Sequence, residues 1–181
     1  MRHIIALLLF LLTQNLLFAQ LPEGFSKRTT IYLVRHAEKQ SGNDPLLTEN
    51  GNKRAGALLQ RLKDKHIRHI YVSQFKRTQM TGDSLRIQLG IDTIQYKADT
   101  TCEDLLNKIK ANNESGKTIL IIGHSNTIPK IIKKLGVENF DAGDIPDAVF
   151  DNLYLVTYKK EKAVVKLMKY GAPSSSSATI Q

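Results

Sequence analysis

Arg35-His36, Arg77 and Gly123-His124-Ser125 are the residues of this sequence best suited to chemistry on an anion. A neutral imidazole is a competent nucleophile toward phosphorus. Guanidinium groups take phosphate oxygens in a bidentate fork. A second imidazole can hydrogen-bond an equatorial oxygen. A phosphoryl group in transfer is trigonal and anionic, so several fixed cationic donors suit it. The arginines would supply the positive charge, so no metal and no cofactor is expected. Cys102 is the single cysteine, which excludes an internal disulfide framework and a cysteine-based zinc site.

These residues can act together only if the fold brings them to one place. Ile31–Val34, Ile70–Val72 and Ile119–Ile122 are short apolar runs of the kind found in strands buried on both faces. Between them lie helical patterns. Ala55, Leu58, Leu59 and Leu62 repeat at helical spacing from a start near Thr48. A second helix is predicted from about Lys76 to Leu89, stopped by Gly90. Ile91–Tyr96 reads as a weaker strand, and Thr101-Cys102-Glu103-Asp104 reads as a capping box opening a helix through Ile109. The helix after His124 carries Pro129 in its first turn, where proline is tolerated. Leu153–Tyr158 and Ala163–Met168 read as a closing pair of strands. Such alternation predicts an α/β fold, a three-layer α/β/α sandwich with a mostly parallel central sheet. Ligands of such sheets bind beyond the C-terminal strand ends. That rule selects the residues after Val34, Val72 and Ile122, which are the ones named above.

The 181 residues fit one domain. Met1-Arg2-His3, the apolar run Ile4–Leu12 and Ala19 resemble a cleaved signal peptide over residues 1–20. The run is too short for a span, which needs about 20 apolar residues. A secreted or periplasmic protein, with no stable membrane insertion after cleavage, is therefore expected. The folded domain is expected over residues 27–170, with a low-complexity tail over 171–181 that is not expected to fold. The net charge is +9, and the leader contributes only Arg2 to it, so the basic excess belongs to the domain. Such an excess suits anionic partners. A nucleic-acid binder would show a basic stripe interleaved with exposed aromatics, whereas here the lysines are spread over several elements and aromatics make up 7% of the chain. A phosphorylated small molecule is the expected partner, and nucleic acid is not.

Four segments together resemble the histidine phosphatase superfamily, the phosphoglycerate mutase-like proteins, in a short branch 1 form. They are Arg35-His36 after a strand, Leu47-Thr48-Glu49-Asn50-Gly51 opening a helix, Tyr71 to Thr81, and Gly123-His124-Ser125. The resemblance implies that His36 becomes phosphohistidine and that Arg35, Arg77 and His124 form its phosphate pocket. It also implies a carboxylate that protonates the leaving oxygen and later activates water. The first loop departs from the common Arg-His-Gly form by having Ala37.

For the carboxylate, Asp99, Glu103, Asp104 and Glu38 stand in suitable intervals. Asp104 has a role as the capping-box acid, and Glu103 sits in a first helical turn where it favours the dipole. Asp99 ranks first because no such role claims it. Ser125 and Asn126 are expected to cap a helix, Lys39 and Lys76 to be solvated, and Cys102 to be structural. His66 and His69 are assigned to a basic connection between helix and strand, and His3 to the leader. The loops Gln40–Leu47, Tyr96–Thr101 and Asp141–Asp151 are expected to set specificity, with Asp141, Asp144, Asp147 and Asp151 as candidate contacts for a polyhydroxy substrate. The expected activity is an exported phosphatase acting on phosphomonoesters. The alternatives are a phosphomutase, a phosphohistidine (phosphoprotein) phosphatase, and a non-catalytic module that binds polyanions.

Overall fold

The computed structural model describes residue 25 and residues 28–141, 143–159 and 162–174. The expected leader, residues 1–20, lies outside the described residues. The elements run β1 (Thr30–Arg35), α1 (Glu49–Leu62), β2 (Ile67–Ser73), α2 (Lys76–Leu89), β3 (Thr93–Tyr96), α3 (Glu103–Ala111), β4 (Thr118–Gly123), α4 (Ile128–Lys134), β5 (Asn152–Lys159) and β6 (Lys162–Lys169). One six-stranded sheet has the order β3-β2-β4-β1-β5-β6. The β2–β3, β2–β4 and β1–β4 pairs are parallel, and β5 and β6 complete the sheet antiparallel.

The apolar runs fill both faces because successive side chains of a strand point to opposite sides. Ile31, Leu33, Tyr71, Ile119 and Ile121 meet Leu105 and Ile109 of α3 and Ile128, Ile131 and Ile132 of α4. Their neighbours Tyr32, Val34, Ile70, Val72, Leu120 and Ile122 meet Leu58 and Leu62 of α1 and Leu85 of α2. The result is the expected three layers. Each fully buried aliphatic side chain contributes roughly 1.5–3 kcal/mol.

Local signals explain the helix starts, with one exchange. The Thr48 hydroxyl accepts from Gly51 N at 3.1 Å and caps α1. Gly51 is required there, since a Cβ would lie 2.1 Å from the Glu38 carbonyl oxygen. The capping box at Thr101 and Asp104 does not form. Cys102 takes the N-cap position without a side-chain cap, and Asp99 braces the turn ahead of α3, its Oδ1 accepting from Thr101 N and Cys102 N, both at 2.8 Å, and from Thr101 Oγ1 at 2.6 Å. Asp104 turns away to Lys97 N (2.7 Å) and Lys108 Nζ (2.6 Å). Cys102 is buried, and burial pushes its thiol up to about 11, as suits a structural residue. The tail is expected over residues 171–181. Gly171–Ser174 are held against the domain, and residues 175–181 lie outside the described residues.

Candidate active site

The central strands deliver the site. Arg35, last residue of β1, is the register partner of Gly123, last residue of β4. The His36 amide donates to the Gly123 carbonyl at 2.9 Å, which fixes the loop of His36 beside the loop that carries His124. On the other side of β4, Val72 pairs with Ile122, so β2 ends alongside and leads into α2, whose first turn carries Arg77. The two imidazoles lie 5.4 Å apart between ring centroids. Arg35, His36, Arg77 and His124 line one cavity of about 540 Å³. The structure therefore brings together all four residues that the sequence selected.

Tautomers follow from the partners. The His36 Nδ1 lies 2.8 Å from the Ala37 carbonyl, which can only accept, so Nδ1 carries the proton and Nε2 keeps its lone pair. Burial lowers the His36 pKa to about 3, and the nearby His124, Arg35 and Arg77 add to the effect. The ring is neutral at neutral pH and presents Nε2 as a nucleophile. His124 is lowered to about 4, first by burial and then by Arg77 and Arg35. Arg77 Nη2 donates to its Nδ1 at 3.3 Å, so Nε2 carries the proton and donates to Ser73 Oγ at 2.9 Å. Both His124 nitrogens are thus committed to the protein. To donate to an anion, Nδ1 must lose Arg77 and carry the ring proton in place of Nε2, with Ser73 Oγ then donating to Nε2. Ser73, which sequence reasoning passed over, sets this tautomer. Its place at the end of β2 was the available signal.

The arginines are held but not exhausted. Arg35 is buried, and its Nη1 is shared among the carbonyls of Pro146 (2.9 Å), Asp147 (3.0 Å) and Val149 (3.3 Å). Its guanidinium lies 4.3 Å from the centre of the Phe150 ring, and that of Arg77 lies 4.3 Å from the centre of the Phe75 ring. The carboxylates that reach them are distant, Asp147 at 3.5 Å from Arg35 and Asp44 at 3.8 Å from Arg77. Arg35 Nε and Arg77 Nε are buried without any hydrogen-bond partner. Buried donors left unmade are costly, and an oxyanion in the cavity would repay them.

The other candidates separate clearly. Asp99 lines the cavity, but its carboxyl is held below the usual range by the Thr101 hydroxyl and by backbone N–H bonds from Cys102 and Thr101. Glu38 is not free for proton transfer, because Arg54 takes both of its oxygens at 2.7–3.0 Å. Asp104 is occupied as described, and Glu103 does not line the cavity. Ser125 and Asn126 do not cap α4. Thr127 precedes the helix and its Oγ1 accepts from His124 N at 3.0 Å, while Ser125 and Asn126 line the cavity. Of the four loop aspartates, Asp144 and Asp147 line the cavity; Asp141 faces Lys133 and Asp151 binds Lys169 and Ser174. Lys39 also lines it. His69 lies within β2 rather than in a connection and bonds Glu114. Among the described residues, no group of three or more His, Cys, Asp or Glu side chains could hold a metal ion. None of their helices is long and apolar enough to cross a membrane.

Comparison with known proteins places this geometry. Residues 31–100 match the model of the histidine phosphatase superfamily (branch 1). "Probable phosphoglycerate mutase GpmB" of Erwinia tasmaniensis is 27% identical over 110 residues, which are 53% of this chain and 51% of that protein. The chain thus spans about half the length of that curated relative. A protein described as the phosphohistidine phosphatase SixA of Agrobacterium tumefaciens superposes with a TM-score of 0.56 at 20% identity, over 82% of this chain and 100% of the other. The phosphoserine phosphatase of Entamoeba histolytica, solved with 3-phosphoglyceric acid, superposes with a TM-score of 0.54 at 18% identity, over 82% of this chain and 98% of the other. At these identities the likeness is one of fold.

Proposed function

We propose, from the match of residues 31–100 to the histidine phosphatase superfamily (branch 1) and from the site geometry, that this chain is an exported phosphatase of that superfamily, hydrolysing phosphomonoesters through a phosphohistidine on His36. The observation that carries the reading is the neutral His36, with Nε2 unprotonated, beside two buried arginine Nε donors that lack a partner.

In the first step the Nε2 lone pair attacks phosphorus, and the bond to the ester oxygen breaks with its electron pair leaving on that oxygen. The proton stays on Nδ1, and its hydrogen bond to the Ala37 carbonyl stabilises the phosphoimidazolium. Arg35, Arg77 and, once its Nδ1 is protonated, His124 hold the three equatorial oxygens. In the second step water attacks phosphorus, the P–N bond breaks, and His36 is restored. Asp99 is ionised in the resting protein, which suits the base that accepts the proton of this water. In the first step the departing oxygen takes the proton that the ester brings as its monoanion, relayed through the same carboxylate, and the proton taken from water in the second step leaves with the phosphate. Hydrolysis is favoured over mutase transfer by the open mouth, where Asp147 is wholly solvent-exposed. Asp99, Asp144 and Asp147 around that mouth disfavour an acidic leaving group and favour a polyhydroxy one. Export is supported by Arg2 and the apolar run Ile4–Leu12.

The test is a screen of the protein without its leader against sugar phosphates, nucleotides, phosphopeptides and phosphoglycerate, with EDTA present and His36→Ala as control. Turnover of phosphomonoesters that persists in EDTA and disappears in His36→Ala is expected. Salt-sensitive binding of nucleic acid with no hydrolysis of any ester would instead establish a polyanion-binding module.

A further inference from the structure

Phe150 lies between the catalytic residues and a second cavity, and its position is fixed mainly from behind. Its ring carries the Arg35 guanidinium at 4.3 Å and stands 6.2 Å from the His36 ring. A separate cavity of about 400 Å³ is lined by Phe150 together with Glu38, Arg54, Ala148 and Ser174. Packing on that side is therefore incomplete, and hydrogen bonds must place the ring. The Phe150 amide donates to Ser174 Oγ at 2.8 Å, and the Asp151 amide donates to the same oxygen at 3.1 Å. Ser174 N in turn donates to Asp151 Oδ2 at 3.3 Å.

Ser174 is itself anchored. Arg54, buried on α1, donates from Nη1 to the carbonyls of Tyr170 (3.2 Å) and Ala172 (3.0 Å). The rest of its guanidinium is locked in the fork on Glu38, two residues after the nucleophile. Gly171 lies between those carbonyls at φ +68°, and a Cβ there would stand 3.2 Å from Arg54 Nη1. One guanidinium thus joins the loop of His36 to the segment that holds Phe150.

We propose that Tyr170–Ser174, tied down by the Glu38–Arg54 pair, is a strap that positions Phe150 and through it Arg35 and His36. The strap rests on the phosphatase reading above. Its residues touch no substrate; they are positioning residues. Small displacements of reacting groups are expensive, about 10²-fold for an ångström.

The experiment uses the chain with Ser174→Ala, Arg54→Lys, Phe150→Leu and the double variant Ser174→Ala/Phe150→Leu. Urea unfolding shows that each is folded. Turnover of p-nitrophenyl phosphate and calorimetric binding of orthovanadate are then measured. Ser174→Ala is expected to lower kcat about tenfold with little change in KM, and to weaken vanadate binding. Arg54→Lys, which keeps the charge but loses the fork, follows the same pattern. Adding Ser174→Ala to Phe150→Leu costs almost nothing more, because both act through one ring. An indifferent kcat in Ser174→Ala, or full additivity in the double variant, overturns the strap while leaving the phosphatase reading intact. A wild-type protein that neither turns over the ester nor binds vanadate overturns that reading, and the strap with it.

Discussion

Glu114 and the His36 site lie at opposite ends of the parallel strands, and each buries charge or potential charge in a different way. At the N-terminal end the buried Glu114 carboxylate takes His69 Nδ1 at 2.6 Å and Tyr71 Oη at 2.5 Å on Oε1, while Oε2 has no hydrogen bond and faces Lys117 Nζ at 3.7 Å as its counter-charge. Burial and that carboxylate together raise the Tyr71 pKa. At the C-terminal end Arg35, Arg77, His36 and His124 surround a cavity, and the nearest carboxylates to the arginines stay at 3.5 and 3.8 Å. One cluster brings its counter-charge with it; the other leaves donors for an anion that must arrive from outside. Closed polar clusters serve stability, and open ones with shifted pKa values mark function.

Substitutions at the two ends should therefore separate activity from stability. The largest effect is expected from His36→Ala, which should lower kcat more than about 10³-fold while leaving the urea midpoint near that of the parent. Arg77→Ala should cost about 10²–10³-fold in kcat/KM, the value of one oxyanion donor, and should weaken inhibition by inorganic phosphate in a direct competition assay. Asp99→Asn should lower kcat about 10²-fold on alkyl phosphates and much less on p-nitrophenyl phosphate, whose leaving group needs no proton. An unchanged kcat on both esters would confine Asp99 to bracing the turn ahead of α3. At the other end, Glu114→Ala should reverse the pattern, lowering the unfolding free energy by about 2 kcal/mol with kcat per folded molecule unchanged. If Glu114→Ala lost activity and kept stability, the contrast between the ends would be broken.

The smallest effect concerns pH. The folded-state pKa values of His36 and His124, about 3 and about 4, lie below the unfolded value near 6.5. The unfolded chain binds more protons in that interval, so stability should fall as pH drops from about 6.5 toward 3. Activity should hold longer. Corrected for ionisation of the ester, kcat/KM should change less than about twofold between pH 8 and about 5.5, because the nucleophile stays neutral there.

Much of this was legible in the residues. Apolar runs at Ile31–Val34 and Ile119–Ile122 can be buried on both faces only in a covered sheet, and the strand-end rule then located His36 and His124. Arg77 was legible because it follows β2 within four residues of Ser73. The acid was less so. Threonine-x-x-acid at Thr101 reads as a capping box, but Cys102, at a positive φ of 61°, takes the N-cap position, and Asp99 is drawn into the turn ahead of it. Glu38 looked available because its partner Arg54 lies sixteen positions away on a helix face. Contacts such as Arg54 with Ala172, or Arg35 with the Pro146 carbonyl, join residues more than a hundred positions apart and leave no local pattern.

The most direct test is to mix the protein with a phosphomonoester, quench in alkali within the first turnovers, and map the phosphoryl group by mass spectrometry and ³¹P NMR. One acid-labile, alkali-stable phosphoryl group on the His36 peptide, absent in His36→Ala and held longer in Asp99→Asn, is the expected result. Hydrolysis at full rate with no phosphoryl group on His36, or with His36→Ala fully active, would contradict the account.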